Sequence, residues 1–272
     1  MIRDAIGELR LYGRLVGISV RAQAQYRLTL LIDIVSYFFV TALEFLSILV
    51  IFGRFPTLLG WSLGEVALLF AMTSLSFGLS ELIGAGIDNF PDSIRRGDFD
   101  RVLLRPATTL TQIAGGDFRL RRLGRLTEGA LLFLFALGKL PHFHWTLAKV
   151  IALPLGLFSG ALMFVAVLLL GATLCFWTVE TTELTNILTY GGREMLSYPL
   201  TIFHPALRRF FLFVVPLAFG TFVPTCYLLS RALPFGLPSF AAFIAPLVAC
   251  LCLLLACVAW RFGVRRYQSV GN

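Results

Sequence analysis

Charged residues are scarce in this chain of 272 residues, at 14% of the total against 58% hydrophobic residues. Soluble domains carry roughly 25% charged residues, so this chain lies well below the usual fraction. A soluble fold of this size cannot bury so much apolar surface, whereas lipid solvates it. The composition therefore predicts an integral membrane protein.

Alternation of apolar and polar residues is also missing, because the hydrophobic stretches are long and continuous. In lipid every backbone amide must be satisfied within the structure, so only helices and closed barrels span a membrane. Barrel strands alternate, whereas a spanning helix needs about 20 predominantly apolar residues. We predict an all-α membrane protein with six transmembrane helices, at residues 28–52, 63–87, 126–140, 148–179, a segment beginning near 207, and 240–262.

Several chemical signatures are absent from the sequence. It contains no Gly-x-x-x-x-Gly-Lys-Ser/Thr loop that would cradle phosphates, and no Ser/His/Asp or Cys/His set at recognisable spacing. The five cysteines lie in or beside apolar runs without metal-ligating neighbours, at Cys175, Cys226, Cys250, Cys252 and Cys257. We expect no catalytic residue, no metal site and no cofactor in this chain. Residues 1–27 also lack the apolar core of a signal peptide.

Basic residues give the chain a net charge of +8, and they cluster between the apolar runs. This distribution marks the cytoplasmic side of a membrane protein, so we do not expect nucleic-acid binding. With six spans, 19 of the 23 basic residues face the side that carries both termini. The other four are Arg54, Lys139, Lys149 and Arg231. The asymmetry predicts that both termini are cytoplasmic.

The domain organisation follows from these spans. Residues 1–27 form a cytoplasmic segment in which Arg3, Arg10, Arg14 and Arg21 fall within an arc of about 40° on a helix. This pattern fits an amphipathic helix in the membrane interface, or equally an ordinary basic flank of the first span. Residues 28–263 form the transmembrane domain, with long cytoplasmic connections at 89–125 and 180–206. Residues 264–272 form a cytoplasmic tail.

The connection after the second span contains strong local signals at 89–106. Pro91 can open a short helix and Gly97 can close it. Asp98 can cap a second helical turn, which Pro106 ends. We therefore expect a compact amphipathic helical element just below the membrane.

Three later stretches stand out beside this 89–106 element: Phe-Trp-Thr-Val-Glu at 176–180, Tyr-Gly-Gly-Arg-Glu at 190–194 and Tyr-Pro-Leu at 198–200. Together with the element they resemble the ABC-2-type permeases. The resemblance is to the bacterial branch with six helices, and it covers nearly the whole chain. It implies an export permease of the bacterial inner membrane that pairs with a second permease chain, identical or different. Two ATPase subunits, which carry the ATP and Mg, would dock below the pair.

By the same resemblance, the 89–106 element is the coupling helix that contacts the ATPase. The residues assigned to this contact are Pro91, Asp92, Ile94, Arg95, Arg96, Asp98, Phe99, Asp100 and Arg101. Topology and contact with lipid headgroups also explain the arginines of this loop. They explain Asp92, Asp98 and Asp100 poorly, because acidic residues add little to cytoplasmic retention.

The resemblance further implies re-entrant helices on the outer side between the last two spans. Residues that break helices are available there, at Pro216, Gly220, Pro224, Pro234 and Pro238. The alternative is a kinked, longer span.

Candidate residues of a transport path are Glu44, Glu81, Phe210, Phe213 and Phe219. A carboxylate within a span costs about 2.5–3.5 kcal/mol, so Glu44 and Glu81 serve either a polar path, a proton site or a structural hydrogen bond. The phenylalanines fit an apolar path for a lipophilic substrate, and they fit ordinary lipid contact as well. A secondary transporter or channel remains the alternative function. It would require inverted repeats and paired charges within the membrane, and the halves 1–126 and 127–272 show no repeat.

Overall fold

The computed structural model describes residues 2–141, 143–178 and 182–268, without the side chains of 2–5, 182 and 184. The side chain of Arg3, which belongs to the predicted amphipathic face, therefore lies outside the described part. So do residues 179–181 and residues 269–272 of the predicted tail. Within the described ranges the chain is helical and contains no β-strand.

The first part of the chain contains both long and short helices. In chain order they are α1 (Ile2–Ala24), α2 (Arg27–Arg54), α3 (Leu63–Asp88), α4 (Phe90–Arg95), α5 (Phe99–Leu103), α6 (Thr109–Gly116), α7 (Leu123–Gly138) and α8 (Leu147–Leu174), with a 3₁₀ turn at Leu120–Arg122. Shorter elements follow: α9 (Thr182–Asn186), a π-helical turn (Ile187–Gly191), α10 (Gly192–Leu196), a 3₁₀ turn (Leu200–Ile202), α11 (Pro205–Arg209), a π-helical turn (Phe210–Val214), α12 (Leu217–Gly220), α13 (Phe222–Leu228) and a 3₁₀ turn (Pro234–Gly236). The last helix, α14 (Ala241–Arg266), is long again.

Four helical segments of the described chain are long and apolar enough to cross a membrane: Arg27–Arg54, Leu63–Arg95, Leu147–Leu174 and Ala241–Arg266. A fifth is present if Pro205–Val214 and Leu217–Leu228, which meet at a bend of 71°, count as one span. The predicted third span corresponds to α7, whose 16 residues are about 24 Å long. That length is less than the roughly 30 Å of a hydrocarbon core. The multi-pass, all-α prediction is thus confirmed, at four to five candidate spans.

The centre of the bundle is α3, most of which is buried between α7 and α8. Small residues allow the close approach of neighbouring segments, as is usual between membrane helices. A methyl group at Gly220 of α12 would lie 3.1 Å from the Cα atom of Gly160 in α8. The broken segment that carries α12 and α13 is therefore fixed against the middle of α8.

The two ends of the bundle differ in charge and structure. At the basic end, α1 packs on α6, and α6 packs on the last turns of α3. At the opposite end, Arg231 binds Glu65 at 2.5 Å and the carbonyl of Gly60 at 2.5 Å. These contacts join the loop before α3 to the loop before α14. The basic end and the end at Arg231 are therefore the two reference points for describing positions along the bundle.

The segment 182–202, which lies within the predicted connection at 180–206, packs inside the bundle. Leu196 and Leu200 belong to the buried core. The Thr73 hydroxyl, in the middle of α3, donates a hydrogen bond to the Leu196 carbonyl at 3.2 Å. Arg193 is 3% exposed. The polar residues of this stretch suggest a loop, but the polar groups find hydrogen-bond and ion-pair partners inside the bundle.

Candidate functional site

The 89–106 element consists of two short helices, α4 and α5, that follow α3 almost without interruption. Pro91 lies in the first turn of α4, as predicted. Gly97 ends α4 with a φ of +71°, and its amide donates to the Ile94 carbonyl at 3.0 Å. The next amide, of Asp98, donates to the Ser93 carbonyl at 3.0 Å, which completes a Schellman motif. The opening and closing signals of α4 are thus confirmed.

Asp98 does not cap α5 in the way we predicted. Its backbone is in the right-handed helical region and its side chain makes no capping hydrogen bond. The carboxylate instead contacts Arg96 at 3.2 Å and Arg101 at 3.9 Å. Electrostatic pairing with neighbours on the same surface has replaced the expected cap.

An aromatic cluster attaches the 89–106 element to the bundle. The rings of Phe90 and Phe99 are 5.2 Å apart in an edge-on arrangement. Phe90 contacts Trp260 of α14 at 4.8 Å, and Phe99 contacts Tyr267 at 4.9 Å. Phe176, just after α8, lies 5.4 Å from Phe90. The element is therefore tied to the ends of both α8 and α14.

The predicted coupling residues separate into two groups according to burial. Pro91, Ile94 and Phe99 are buried and face the bundle, whereas Asp92, Arg95, Arg96 and Arg101 are exposed. Asp98 and Asp100 lie between these extremes. The buried group fixes the element, and the charged group is available for a partner.

Sequence reasoning missed an apolar feature of this surface. Leu104 is 86% exposed and Leu103 is 43% exposed, directly beside the charged residues. The two adjacent leucines form a small exposed apolar surface beside these charges. Counting charges in the loop could not reveal it, because exposure depends on the anchored fold.

Polar contacts also attach the 89–106 element to α6 and to the residues that follow α6. Gln112 of α6 donates to the carbonyls of Val102 and Ala107 at 3.1 and 3.0 Å. Asn89 donates to the Asp117 carboxylate, and Arg119 binds the same group at 2.8 Å. Burial alone would raise the pKa of Asp117, but these hydrogen bonds and the Arg119 charge lower it below its ordinary value. The carboxylate therefore stays ionised as a structural acceptor.

The N-terminal helix α1 is also docked at this end. α3 is non-helical at Gly84, and the Tyr12 hydroxyl donates to the nearby Ile83 carbonyl at 3.2 Å. Gln23 donates to the Phe118 carbonyl at 2.6 Å and accepts from the Leu120 amide at 2.9 Å. α1 thus supports α6 and the chain that follows it.

Glu44 and Glu81 lie together in a cluster of charges inside the bundle. Arg125 of α7 contacts Glu81 at 3.0 Å and Glu44 at 3.9 Å. Arg193 of α10 binds Glu44, and the Tyr37 hydroxyl donates to Glu81 at 2.9 Å. Both carboxylates are therefore paired with basic or hydroxyl groups inside the bundle.

The predicted phenylalanines Phe210, Phe213 and Phe219 lie in different surroundings. Phe213 is 58% exposed, and its ring is tilted against that of Phe235, with ring centroids 6.0 Å apart. Phe210 and Phe219 are partly buried against the core. A groove of about 470 Å³ lies nearby, between the 187–198 stretch and 203–211, and Glu194 is among its lining residues.

Within the described residues, no group of three or more His, Cys, Asp or Glu side chains is arranged to hold a metal ion.

Comparison with protein families gives one relevant finding: the family model described as "ABC-2 family transporter protein" matches residues 38–271. That range contains the 89–106 element, the buried charge cluster and the 190–200 stretch. Comparison with curated proteins and with solved structures gives no match.

Proposed function

The chain belongs to the ABC-2 transporter family, and from this premise we propose that it is the permease subunit of an ABC exporter, driven by separate ATPase subunits. The single observation that carries the coupling part is the 89–106 element, an exposed charged surface anchored by buried aromatic rings. Force applied to such a surface moves the helices to which the rings are attached.

The proposed docking surface comprises Arg96, Arg101, Leu103 and Leu104. Arg96 and Arg101 have side-chain exposures of 68% and 83%, so an acidic groove on a partner can reach them. Leu104 supplies an exposed apolar side chain on this surface. The ATP and Mg would reside on the partner, because this sequence has no phosphate-cradling loop.

We propose a membrane topology of six crossings that differs in one respect from the sequence expectation. The fifth crossing is 182–203, and 205–228 is a re-entrant hairpin that enters from the opposite end. Arg209 lies over the Phe235 ring at 5.8 Å, which supports its placement at that end. Irregular backbone is tolerated at membrane depth where protein buries it. The basic end then carries 16 of the 23 basic residues, which favours its cytoplasmic location in a bacterial inner membrane.

The transport path, in this proposal, follows the groove beside 187–198. Glu194 is 52% exposed and neighbours Arg193, whose partner Glu44 is in the interior of a spanning helix. A half-exposed carboxylate at this depth cannot face acyl chains at low cost. Water and a second permease chain, identical or different, would cover this face.

A pull-down experiment tests the coupling proposal. The full chain would be purified from native membranes with its partners, as wild type and as Leu104→Asp. Complete burial of a leucine side chain contributes about 1.5–3 kcal/mol, so we expect ATPase recovery to fall by about 10-fold or more. The matched control is Leu59→Asp, which changes an exposed leucine at the opposite end. Equal recovery with both variants would contradict the docking surface.

The second candidate function is a secondary transporter, which the buried Arg125–Glu81 and Arg193–Glu44 pairs favour. It predicts that the chain co-purifies with no ATPase and that transport is driven by an ion gradient. Recovery of an ATPase together with ATP-dependent transport would exclude it.

A further inference from the structure

The buried charge cluster contains more acidic than basic side chains. Between α2, α3, α7 and α10 lie the carboxyl groups of Glu44, Glu81 and Glu128 and the guanidinium groups of Arg125 and Arg193. Glu81 and Glu128 are each 2% exposed, and the side chains of Arg125 and Arg193 are 5% and 3% exposed. Water therefore contributes little to their charge balance.

Two of the three carboxyl groups have guanidinium partners. Arg125 contacts Glu81 at 3.0 Å, and Arg193 binds Glu44. Glu128 follows Arg125 by one turn on α7, but neither of its oxygens has a hydrogen-bond partner in the described structure. The Ser74 hydroxyl, which is also buried without an aligned partner, lies next to it.

The balance of acidic and basic side chains favours one proton bound to a carboxylate of this cluster. Three ionised carboxylates would face two guanidinium groups, and the exposed Glu194 carboxylate adds a further negative charge 3.2 Å from Arg193. The nearby Arg122–Asp88 pair is neutral by itself. A buried ionisable group without a counter-charge becomes neutral by exchanging a proton. Among the three carboxyl groups, Glu128 is the one without an ionic or hydrogen-bonded partner.

We propose that Glu128 is a proton-binding site, held as a neutral carboxylic acid beside the Ser74 hydroxyl. Loss of the proton leaves a carboxylate that competes with Glu44 for Arg193. Glu44 has a side-chain exposure of 33%, so it offers the released proton a route to the surface. Protonation of Glu128 therefore controls how firmly α10 is held to α2.

The groups that face Glu128 set the direction of this effect. They come from α2 (Glu44), α3 (Ser74), α7 (Arg125) and α10 (Arg193), and Arg125 in turn contacts Glu81 of α3. Because the pairs already present neutralise both arginines, a third carboxylate is unfavourable. Raising the pH far enough to deprotonate Glu128 is therefore expected to loosen the Arg193–Glu44 contact.

Infrared spectroscopy of the full chain in lipid nanodiscs tests the proposal without relying on a variant alone. A neutral carboxylic acid absorbs separately from carboxylates, so the wild type should show a buried carboxylic acid band at pH 7. The band should be absent in Glu128→Gln and retained in Glu81→Gln and in the control Glu183→Gln, which changes an exposed residue. Absence of the band in the wild type, or its loss with Glu81→Gln alone, would overturn the proposal.

Thermal unfolding supplies a second readout. A glutamine resembles a neutral carboxylic acid, so Glu128→Gln should shift the Tm at pH 7 by less than about 2 °C. Glu81→Gln removes a partner from a buried cation and should lower the Tm by about 6 °C or more. If Glu128→Gln is as damaging as Glu81→Gln, Glu128 is ionised and the proposal is wrong.

Discussion

Replacing Phe99 by alanine is expected to release the 89–106 element while the spanning helices remain folded. Phe99 is the buried residue of α5, and its side chain is 1% exposed. A helix of five residues has no stability of its own in water. Its position depends on the rings around Phe99, at 5.2 Å from Phe90, 5.5 Å from Phe176 and 4.9 Å from Tyr267.

The magnitude follows from the number of contacts that are lost. Removing a buried phenylalanine side chain costs about 3–5 kcal/mol in a packed core. The cost falls on the attachment of the element, because Phe90 still contacts Trp260 and the long helices keep their own packing. Since 1.4 kcal/mol corresponds to a tenfold change, local opening should become about 100-fold more frequent or greater.

Hydrogen exchange measured by mass spectrometry on the full chain in nanodiscs detects such opening. We expect amides of 90–103 to exchange about 100-fold faster in Phe99→Ala, with unchanged protection in α3 and α8. Leu104→Ala is the control, because that side chain is exposed and packs on little. Unchanged exchange at 90–103, or loss of protection throughout the chain, would refute the anchoring argument.

Two further predictions concern the supports of this element. A methyl group at Gly86 would overlap the Ile113 carbonyl, so Gly86→Ala should displace α6 from α3. We expect it to lower the stability by about 1–3 kcal/mol, measured by thermal unfolding. The control is Gly116→Ala, because a methyl group there has open space. Hydrogen bonds from Thr108 lower the pKa of Glu8 below 4.5. The resulting stabilisation is present above pH 4.5 and is lost as the pH falls through the lowered value. A spin label on α1 should report undocking in that range, and Glu8→Gln should remove the dependence.

The long apolar runs made four of the spanning helices predictable. The expected segments 28–52, 63–87, 148–179 and 240–262 correspond to α2, α3, α8 and α14, because about 20 apolar residues in lipid leave few alternatives to a helix. The short helix α4 was predictable for a different reason, since Pro91 and Gly97 act through local backbone geometry.

The course of 182–202 was not predictable from local signals. Arg193 and Glu194 read as residues outside the membrane, and the partner that compensates Arg193 is Glu44, 149 residues away. No short stretch of the sequence contains both Arg193 and Glu44. The same limit explains the missed exposure of Leu104, which depends on an aromatic cluster gathered from three distant parts of the chain.

One face of α7 connects the basic end with the buried charge cluster. Arg122, Arg125 and Glu128 follow one another at intervals of three residues, so they share a face of this helix region. Arg122 donates to the Glu81 carbonyl at 2.5 Å and contacts Asp88, the last residue of α3 before the 89–106 element. Further along, Arg125 lies over the Phe77 ring at 5.2 Å.

The same Phe77 ring contacts Arg193 at 5.8 Å, so a displacement at the root of the 89–106 element has a continuous path to α10. We therefore predict that Arg122→Gln uncouples the two regions in the complex with its ATPase subunits. Spin labels at the exposed positions Arg105 and Ile187, neither of which belongs to the proposed docking surface, would report their movement on ATP addition. The label at Arg105 should still move in the variant, because the docking surface is intact, whereas the shift at Ile187 should fall at least twofold. An unchanged shift at Ile187 would show that the force travels instead through α8 and α14, the helices held by the aromatic cluster.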